Sequence, residues 1–364
     1  MIPFLDIKST YTEIKDEIDA SINRVLNSGM YILGPEVDAF ESEWADYCGS
    51  NHAVGVANGL DALILALRAL KVGPGDEVIV PSNTYIASWL AISAVGATPV
   101  PVEPCPITYN INVKDINKAI TPATKAIMPV HLYGQPADLD HIIKLSKQSG
   151  ISVIEDAAQA HGAMYKGKRI GSHGDIVCWS FYPGKNLGAF GDAGAITTNR
   201  NDLAESIRKY RNYGSSVKYL TEVKGTNSRL DPIQAAVLRA KLPHLDSWND
   251  RRREISESYT HELRDSEFIL PKCPNWAYSV WHLFVIQTSN RNKLKSEFDK
   301  AGIGYLIHYP IPPHMQKAYK DLKFKPESYP LARQLADKII SLPIGPHLNN
   351  QSARKVINVI KDVY

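Results

Sequence analysis

His52-Ala53-Val54-Gly55-Val56-Ala57-Asn58-Gly59-Leu60-Asp61-Ala62-Leu63-Ile64-Leu65-Ala66-Leu67-Arg68-Ala69-Leu70 decides the fold. Its first five residues form a short apolar run and read as a buried strand. From Leu60 to Leu70 strong helix formers take over, broken only by charges at Asp61 and Arg68. Asn58-Gly59 is the turn between the two. The same grammar repeats to about residue 200. Strands are predicted at 77–80, 98–102, 125–130, 152–155, 176–180 and 194–198, with helices at 87–95, 113–120 and 139–149. Gly73-Pro74-Gly75-Asp76 and Gly150 supply the stops. Such alternation predicts a largely parallel sheet covered by helices on both faces.

Beyond residue 200 the pattern changes. Helices are predicted at 202–212 and 232–242. A long polar helix at 245–263 is placed to connect two domains. A strand at 281–287 and helices at 293–301, 331–340 and 352–363 follow. The expected division is a large domain of 1–245 and a smaller α/β domain of 246–364. A length of 364 residues fits one large and one small domain.

Composition narrows the function classes. Hydrophobic residues are 44% and charged residues 22%, the usage of an ordinary soluble chain. The net charge of +3 is small, and the basic residues are spread along the chain. The densest basic cluster, Arg251-Arg252-Arg253, reads as a solvated helix face, so no nucleic-acid partner is expected. Four cysteines, at 48, 105, 178 and 273, have neither metal nor redox spacing and read as free thiols of a reducing compartment. Met1-Ile2-Pro3-Phe4-Leu5-Asp6 lacks a secretory pattern, and the apolar run Ala62–Leu70 is too short for a membrane span. A cytoplasmic protein with no membrane partner is expected.

In an open α/β sheet, ligands bind beyond the carboxyl ends of the strands. The polar residues there are Asn58-Gly59, Ser82-Asn83-Thr84-Tyr85, His131 with Tyr133, Asp156 with Gln159, and Ser180 through Asn186. They should converge on one face. Gly59 opens a helix whose free N–H groups suit a phosphate, although Asn58 as an ordinary N-cap explains the segment equally. No Gly-x-Gly-x-x-Gly and no P-loop lysine is present, which argues against a dinucleotide or NTP. Val153-Ile154-Glu155-Asp156 ends a buried strand on an acid, which either caps a helix or pairs with a protonated ring nitrogen. Ser180-Phe181-Tyr182-Pro183-Gly184-Lys185-Asn186-Leu187-Gly188 sets one lysine among proline and glycines at a strand end. A nucleophilic amine needs a depressed pKa, which burial supplies. The spacing of His308 and His314, with prolines between, does not favour a metal site.

Three segments carry a family resemblance: Glu155-Asp156-Ala157-Ala158-Gln159-Ala160-His161-Gly162, the Lys185 segment, and Asn227-Ser228-Arg229-Leu230-Asp231-Pro232-Ile233-Gln234-Ala235-Ala236. The chain resembles, over essentially its whole length, the DegT/DnrJ/EryC1/StrS sugar aminotransferases. The resemblance implies a fold-type I α/β enzyme with a mostly parallel seven-stranded sheet and pyridoxal 5'-phosphate as cofactor. It implies that Lys185 holds the cofactor covalently and that Asp156 pairs with its pyridine nitrogen. Gln159 is implied near the phenolic oxygen, with Tyr85 stacked on the ring. Gly59 and Leu60 N–H groups and the Ser180 hydroxyl are implied on the phosphate. Asn227 matches a residue supplied by a neighbouring subunit, which implies a homodimer with shared sites.

The Lys185 segment and His308-Tyr309-Pro310-Ile311-Pro312-Pro313-His314 resemble the branch acting on dTDP-3-keto-6-deoxyhexoses, with glutamate as amino donor. On that likeness Tyr182, His308 and Tyr309 line the sugar pocket, and the product is a dTDP-3-amino-3,6-dideoxyhexose. The alternatives are a 4-keto nucleotide-sugar aminotransferase with the same catalytic residues, and a non-enzymatic regulator that binds the same cofactor. A dehydratase of this fold would replace Lys185 by histidine.

Overall fold

The computed structural model describes residues 1–363. Its centre is a seven-stranded sheet. Across the sheet the order is His52–Val56, Gly194–Thr198, Ile176–Ser180, Ser152–Asp156, Thr124–Ile127, Glu77–Pro81 and Thr98–Val102. Gly194–Thr198 runs antiparallel to both neighbours, and the other six strands are parallel to one another. The central strands are nearly unbroken apolar runs because helices cover both faces. One core packs Gly59–Ala69 and Ile86–Ala94 against one face, through Leu65, Ala66, Trp89 and Ile92. A second packs Pro35–Cys48 and Pro232–Lys241 on the other, through Phe40, Trp44, Trp179 and Leu238.

Three N-terminal helices precede the sheet and were not anticipated: Ile7–Glu13, Lys15–Ser28 and Pro35–Cys48. Their signal was present. Val37, Phe40, Trp44 and Cys48 recur at helical spacing and are buried.

A separate core gathers residues from the start and the end of the chain. Ile255, Tyr259, Leu263, Phe284, Ile286, Ile340, Leu342, Ile357 and Ile360 pack with Ile2. Ile2 bridges Ile303 and donates its N–H to the Gly302 carbonyl at 2.8 Å. The expected helix at 331–340 is two elements, a helix Pro330–Lys338 and a strand Ile339–Leu342 that pairs antiparallel with Phe284–Gln287. Leu245–Leu263 is one continuous helix whose first turn packs in the sheet core and whose later turns pack in this one. We propose the domain division at 245/246 on that helix.

The basic cluster departs from expectation. None of Arg251, Arg252 and Arg253 is exposed. Arg251 pairs with Glu13, Arg253 lies 3.5 Å from the Tyr278 ring centre, and Arg252 is only 3% exposed. The solvated-face reading fails because this helix has protein on both sides. All four cysteines are free thiols, as expected. Among the described residues no helix is long and apolar enough to cross a membrane.

Candidate active site

A cavity of about 830 Å³ opens at the carboxyl ends of the parallel strands. That volume is ample for a cofactor with part of a substrate. Its lining includes Gly59, Leu60, Tyr85, Asp156, Gln159, Ser180, Tyr182, Lys185, His308 and Tyr309, every expected site residue except Asn227. Other strand-end candidates turn elsewhere. Ser82 donates to Glu103, Asn83 donates to the Tyr109 carbonyl, and His131 bonds Glu155 behind the sheet at 2.8 Å. Tyr133 is buried, with its hydroxyl on the His308 carbonyl.

Asp156 is the last residue of its strand and is 6% exposed. It does not cap a helix. One carboxylate oxygen accepts from the Ser88 hydroxyl at 2.8 Å, and the other from the Ala158 N–H at 3.2 Å. The Thr84 and Ser88 hydroxyls are 3.0 Å apart, which extends the network. Burial raises the Asp156 pKa, and these hydrogen bonds and the Lys185 charge oppose that rise. A cation placed against the carboxylate would favour its ionised form.

Lys185 follows the Ile176–Ser180 strand in a turn closed by its own N–H to the Tyr182 carbonyl at 2.8 Å. The side chain is half-buried because it opens on the cavity, but protein encloses its amine. The resulting desolvation lowers its pKa to about 8, while the Asp156 charge pulls the other way. About a tenth of the amine is therefore neutral and nucleophilic at pH 7, far more than for an ordinary lysine. Asn186, beside it, donates to Asn249 at 2.8 Å and to the Val280 carbonyl at 3.0 Å, which pins the loop.

At the other end of the cavity, Asn58 caps Gly59–Ala69 by accepting from the Asp61 N–H at 2.8 Å. Asn58 is thus the ordinary N-cap, and the first N–H groups of the helix are left without intrahelical partners. A Cβ on Gly59 would lie 2.5 Å from the Ser180 Cβ. Only glycine lets the helix start approach Ser180 this closely, and the result is a cradle of N–H and O–H donors.

The remaining wall comes from the C-terminal part of the chain. Gln159 accepts from the Tyr133 N–H at 2.6 Å and donates to the Tyr309 hydroxyl at 3.0 Å. The Tyr85 and Tyr309 rings are 5.2 Å apart. The His308 imidazole sits 2.8 Å from the Ser341 hydroxyl, and burial lowers its pKa to about 4, so it is neutral in use. Tyr85 and Tyr182 are exposed at the mouth.

Sequence reasoning missed Ser88, His282 and Arg252. Ser88 lies one helical turn beyond Thr84 and could have been found by that spacing. His282 and Arg252 carry no local signal; both reach the cavity through tertiary packing. Asn227 is exposed and away from the cavity, bridged to Asn212 near a short hairpin of Ser215–Val217 and Leu220–Thr221. Arg229 donates to the Asn212 side chain at 3.0 Å. No cluster of three or more histidine, cysteine or acidic side chains suited to a metal occurs among the described residues.

The DegT/DnrJ/EryC1/StrS aminotransferase family matches residues 12–361. The chain is 53% identical over 362 residues to the dTDP-3-amino-3,4,6-trideoxy-alpha-D-glucose transaminase of Streptomyces venezuelae, covering 99% of this chain and 96% of that one. It is 52% identical over 360 residues to the dTDP-3-amino-3,6-dideoxy-alpha-D-galactopyranose transaminase of Aneurinibacillus thermoaerophilus, covering 99% of each. The crystal structure of S. venezuelae DesV in complex with a ketimine intermediate superposes with a TM-score of 0.98 at 53% identity, covering 99% of this chain and 98% of that one. With this agreement running from the first helices to the last, the chain belongs to the DegT/DnrJ/EryC1/StrS aminotransferase family.

Proposed function

We propose that the chain transfers the amino group of glutamate to a dTDP-3-keto-6-deoxyhexose, yielding the dTDP-3-amino-3,6-dideoxyhexose, with pyridoxal 5'-phosphate as cofactor. The observation that carries this is the pairing, in one cavity, of an enclosed lysine amine with a buried strand-end carboxylate. The relatives' substrates supply the sugar class.

The residues suit the cofactor. The Gly59–Ser180 cradle matches the size and charge of a phosphate, with the Gly59 and Leu60 N–H groups and the Ser180 hydroxyl as donors. The Asp156 carboxylate, held by Ser88 and Ala158, would receive the ring N–H and keep that nitrogen protonated. Tyr85 and Gln159 line the same cavity, where Tyr85 would stack on the ring and Gln159 would meet the phenolic oxygen. When bound, the cofactor supplies an electron sink that makes the donor's Cα–H acidic. Lys185 Nζ would hold the cofactor covalently and, once displaced by the donor's amine, would be placed to act as general base and then general acid for the donor's Cα proton. Using one amine for both tasks exploits proximity. Tyr182, His308 and Tyr309 orient the keto sugar; neutral His308 acts through hydrogen bonding.

A homodimer belongs to the same reading. Asn227 is exposed, and Tyr213, Val217, Tyr219 and Leu220 nearby expose apolar surface that a second copy would cover, delivering Asn227 to the partner's cavity. A cytoplasmic location is consistent with four free thiols.

The test is to mix purified protein with pyridoxal 5'-phosphate, glutamate and a dTDP-3-keto-6-deoxyhexose, following the visible band and then the amine position by NMR. A band that bleaches with glutamate and a C3 amine are expected. A band that bleaches with no C3 amine, together with a C4 amine when the dTDP-4-keto isomer is supplied instead, would move the substrate to the 4-keto class. A band with no sugar amine from either substrate would favour a regulator.

A further inference from the structure

Behind the sheet lies a polar pair that the chemistry above does not use. His131 and Glu155 are both 0% exposed, and neither lines the cavity. The hydrogen bonds around the imidazole leave it one tautomer. The Ala137 N–H donates to Nδ1 at 3.0 Å, so Nδ1 carries no proton and Nε2 donates to the Glu155 carboxylate at 2.8 Å. The second Glu155 oxygen accepts from the Gly174 N–H. Burial alone would raise the Glu155 pKa, but His131 and Gly174 together outweigh it and leave that pKa lowered, so the carboxylate is ionised. A buried polar pair of this kind commonly stabilises a fold no better than apolar residues of the same volume, so its presence calls for another role.

The contacts around the pair indicate that role. Glu155 precedes Asp156 on one strand, and successive strand residues point to opposite faces. The turn that carries His131 also grips Asp156 itself. The His131 N–H donates to the Asp156 carbonyl at 3.0 Å, and the Asp156 N–H donates to the Pro129 carbonyl at 2.9 Å. Two residues further on, the Tyr133 N–H donates to the Gln159 side chain at 2.6 Å. Tyr133 has φ 62°, a left-handed conformation that a tyrosine does not choose unaided. The imidazole braces this turn, reaching from Ala137 at its far end to the strand at Glu155.

We infer that His131, anchored on Glu155, is a positioning residue that fixes the turn holding Asp156 and Gln159 on the cavity wall. This rests on the cofactor reading above, which sets those two residues against the ring nitrogen and the phenolic oxygen. It adds a residue that never touches the cofactor and yet governs both polar ends of its ring.

The experiment uses holoenzyme and two variants that divide the imidazole between them. His131→Asn keeps an acceptor where Nδ1 lies but does not reach Glu155. His131→Gln reaches Glu155 with an amide N–H and gives up the Ala137 contact. In His131→Asn, the affinity for pyridoxal 5'-phosphate in equilibrium dialysis should fall about tenfold, as for loss of one hydrogen bond to a charged group. The pH midpoint of the visible band should shift by about half a unit or more, because the ring nitrogen no longer meets a fixed carboxylate. Bleaching by glutamate should slow about tenfold, with half-saturation within about threefold of wild type. His131→Gln should stay within about threefold throughout. A third variant, His131→Leu with Glu155→Leu, removes the buried charge together with its partner, so it should fold near wild type and still show the shifted band. Equal losses in His131→Asn and His131→Gln would overturn the assignment. So would a folded double-leucine variant with wild-type band and cofactor affinity, or weakened cofactor binding with an unmoved band. Failure of the underlying reading looks different, since wild-type protein would then give no visible band with pyridoxal 5'-phosphate.

Discussion

The cavity has two walls of different origin. One is made by strand ends of the large sheet, Gly59, Asp156, Ser180 and Lys185, each placed by the strand that precedes it or the helix it opens. The other is made by Arg252, His282, His308 and Tyr309, brought in by a long helix and by loops of the C-terminal part. The first wall suits a fixed cofactor, because a parallel sheet returns its strand ends to one rigid edge. The second suits variable substrates. Its residues hang on hydrogen bonds between distant segments, such as His308 to Ser341 and Gln159 to Tyr309. If this contrast holds, damage to the first wall should abolish both half-reactions, and damage to the second should touch only substrate.

The largest effect is expected from Lys185→Ala, which would remove the proposed covalent anchor and proton carrier. Turnover should fall by at least about 10⁴-fold. Thermal unfolding should shift little, since the side chain faces the cavity. Residual turnover near wild type would break the contrast at its centre. Asp156→Asn should come next. Removing one partner of a buried charge pair costs about 3–5 kcal/mol, or upwards of a hundredfold in rate, in both half-reactions alike. Stopped-flow bleaching with glutamate and with amino sugar would reveal any asymmetry.

Cofactor uptake sharpens the comparison by pH. The Lys185 pKa in the cofactor-free protein is lowered to about 8, so its amine is charged below that value and neutral above it. The rate of cofactor attachment should rise about tenfold between pH 7 and 9 and then level off. A rise continuing to pH 10 would mean the amine is not desolvated. Mixed dimers come next. Random pairing of Asn227→Ala with Lys185→Ala subunits should restore about a quarter of wild-type activity, because half the dimers carry one intact site. No recovery would count against a shared site. The smallest effect is expected from His308→Gln. Its KM for the keto sugar should rise about tenfold at most, with the cofactor band unchanged, as for loss of one neutral hydrogen bond. A changed band would merge the two walls.

The same contrast explains what the sequence disclosed. Strand-end residues could be read because β-α alternation is local, and a strand such as Ser152–Asp156 carries its functional residue at its own end. Even there, His131 and Tyr133 were wrongly placed in the cavity. The Thr124–Ile127 strand ends early, so they fall in a tight turn, with Tyr133 at φ 62°. The second wall was mostly illegible. Ile339-Ile340-Ser341-Leu342 follows a helix with no glycine or proline between, and a short apolar run does not distinguish helix from strand. Only pairing with Phe284–Gln287, some fifty residues earlier, makes it a strand. Arg252 looked like one of three solvent-facing arginines because burial of a charged residue depends on what packs over the helix, which no local pattern reports.

The bridge from Ile2 to Ile303 has a consequence for the order in which the molecule is made. Phe4 and Leu5, just beyond it, line the cavity. On a ribosome these residues emerge about three hundred residues before their docking partner leaves the tunnel. The sheet and its lysine loop can form while the opening segment still drifts. That segment settles only after roughly three hundred more residues have been added, some tens of seconds later at ordinary elongation rates. These residues are thus made long before they find their place, and the pocket is closed by segments some three hundred residues apart.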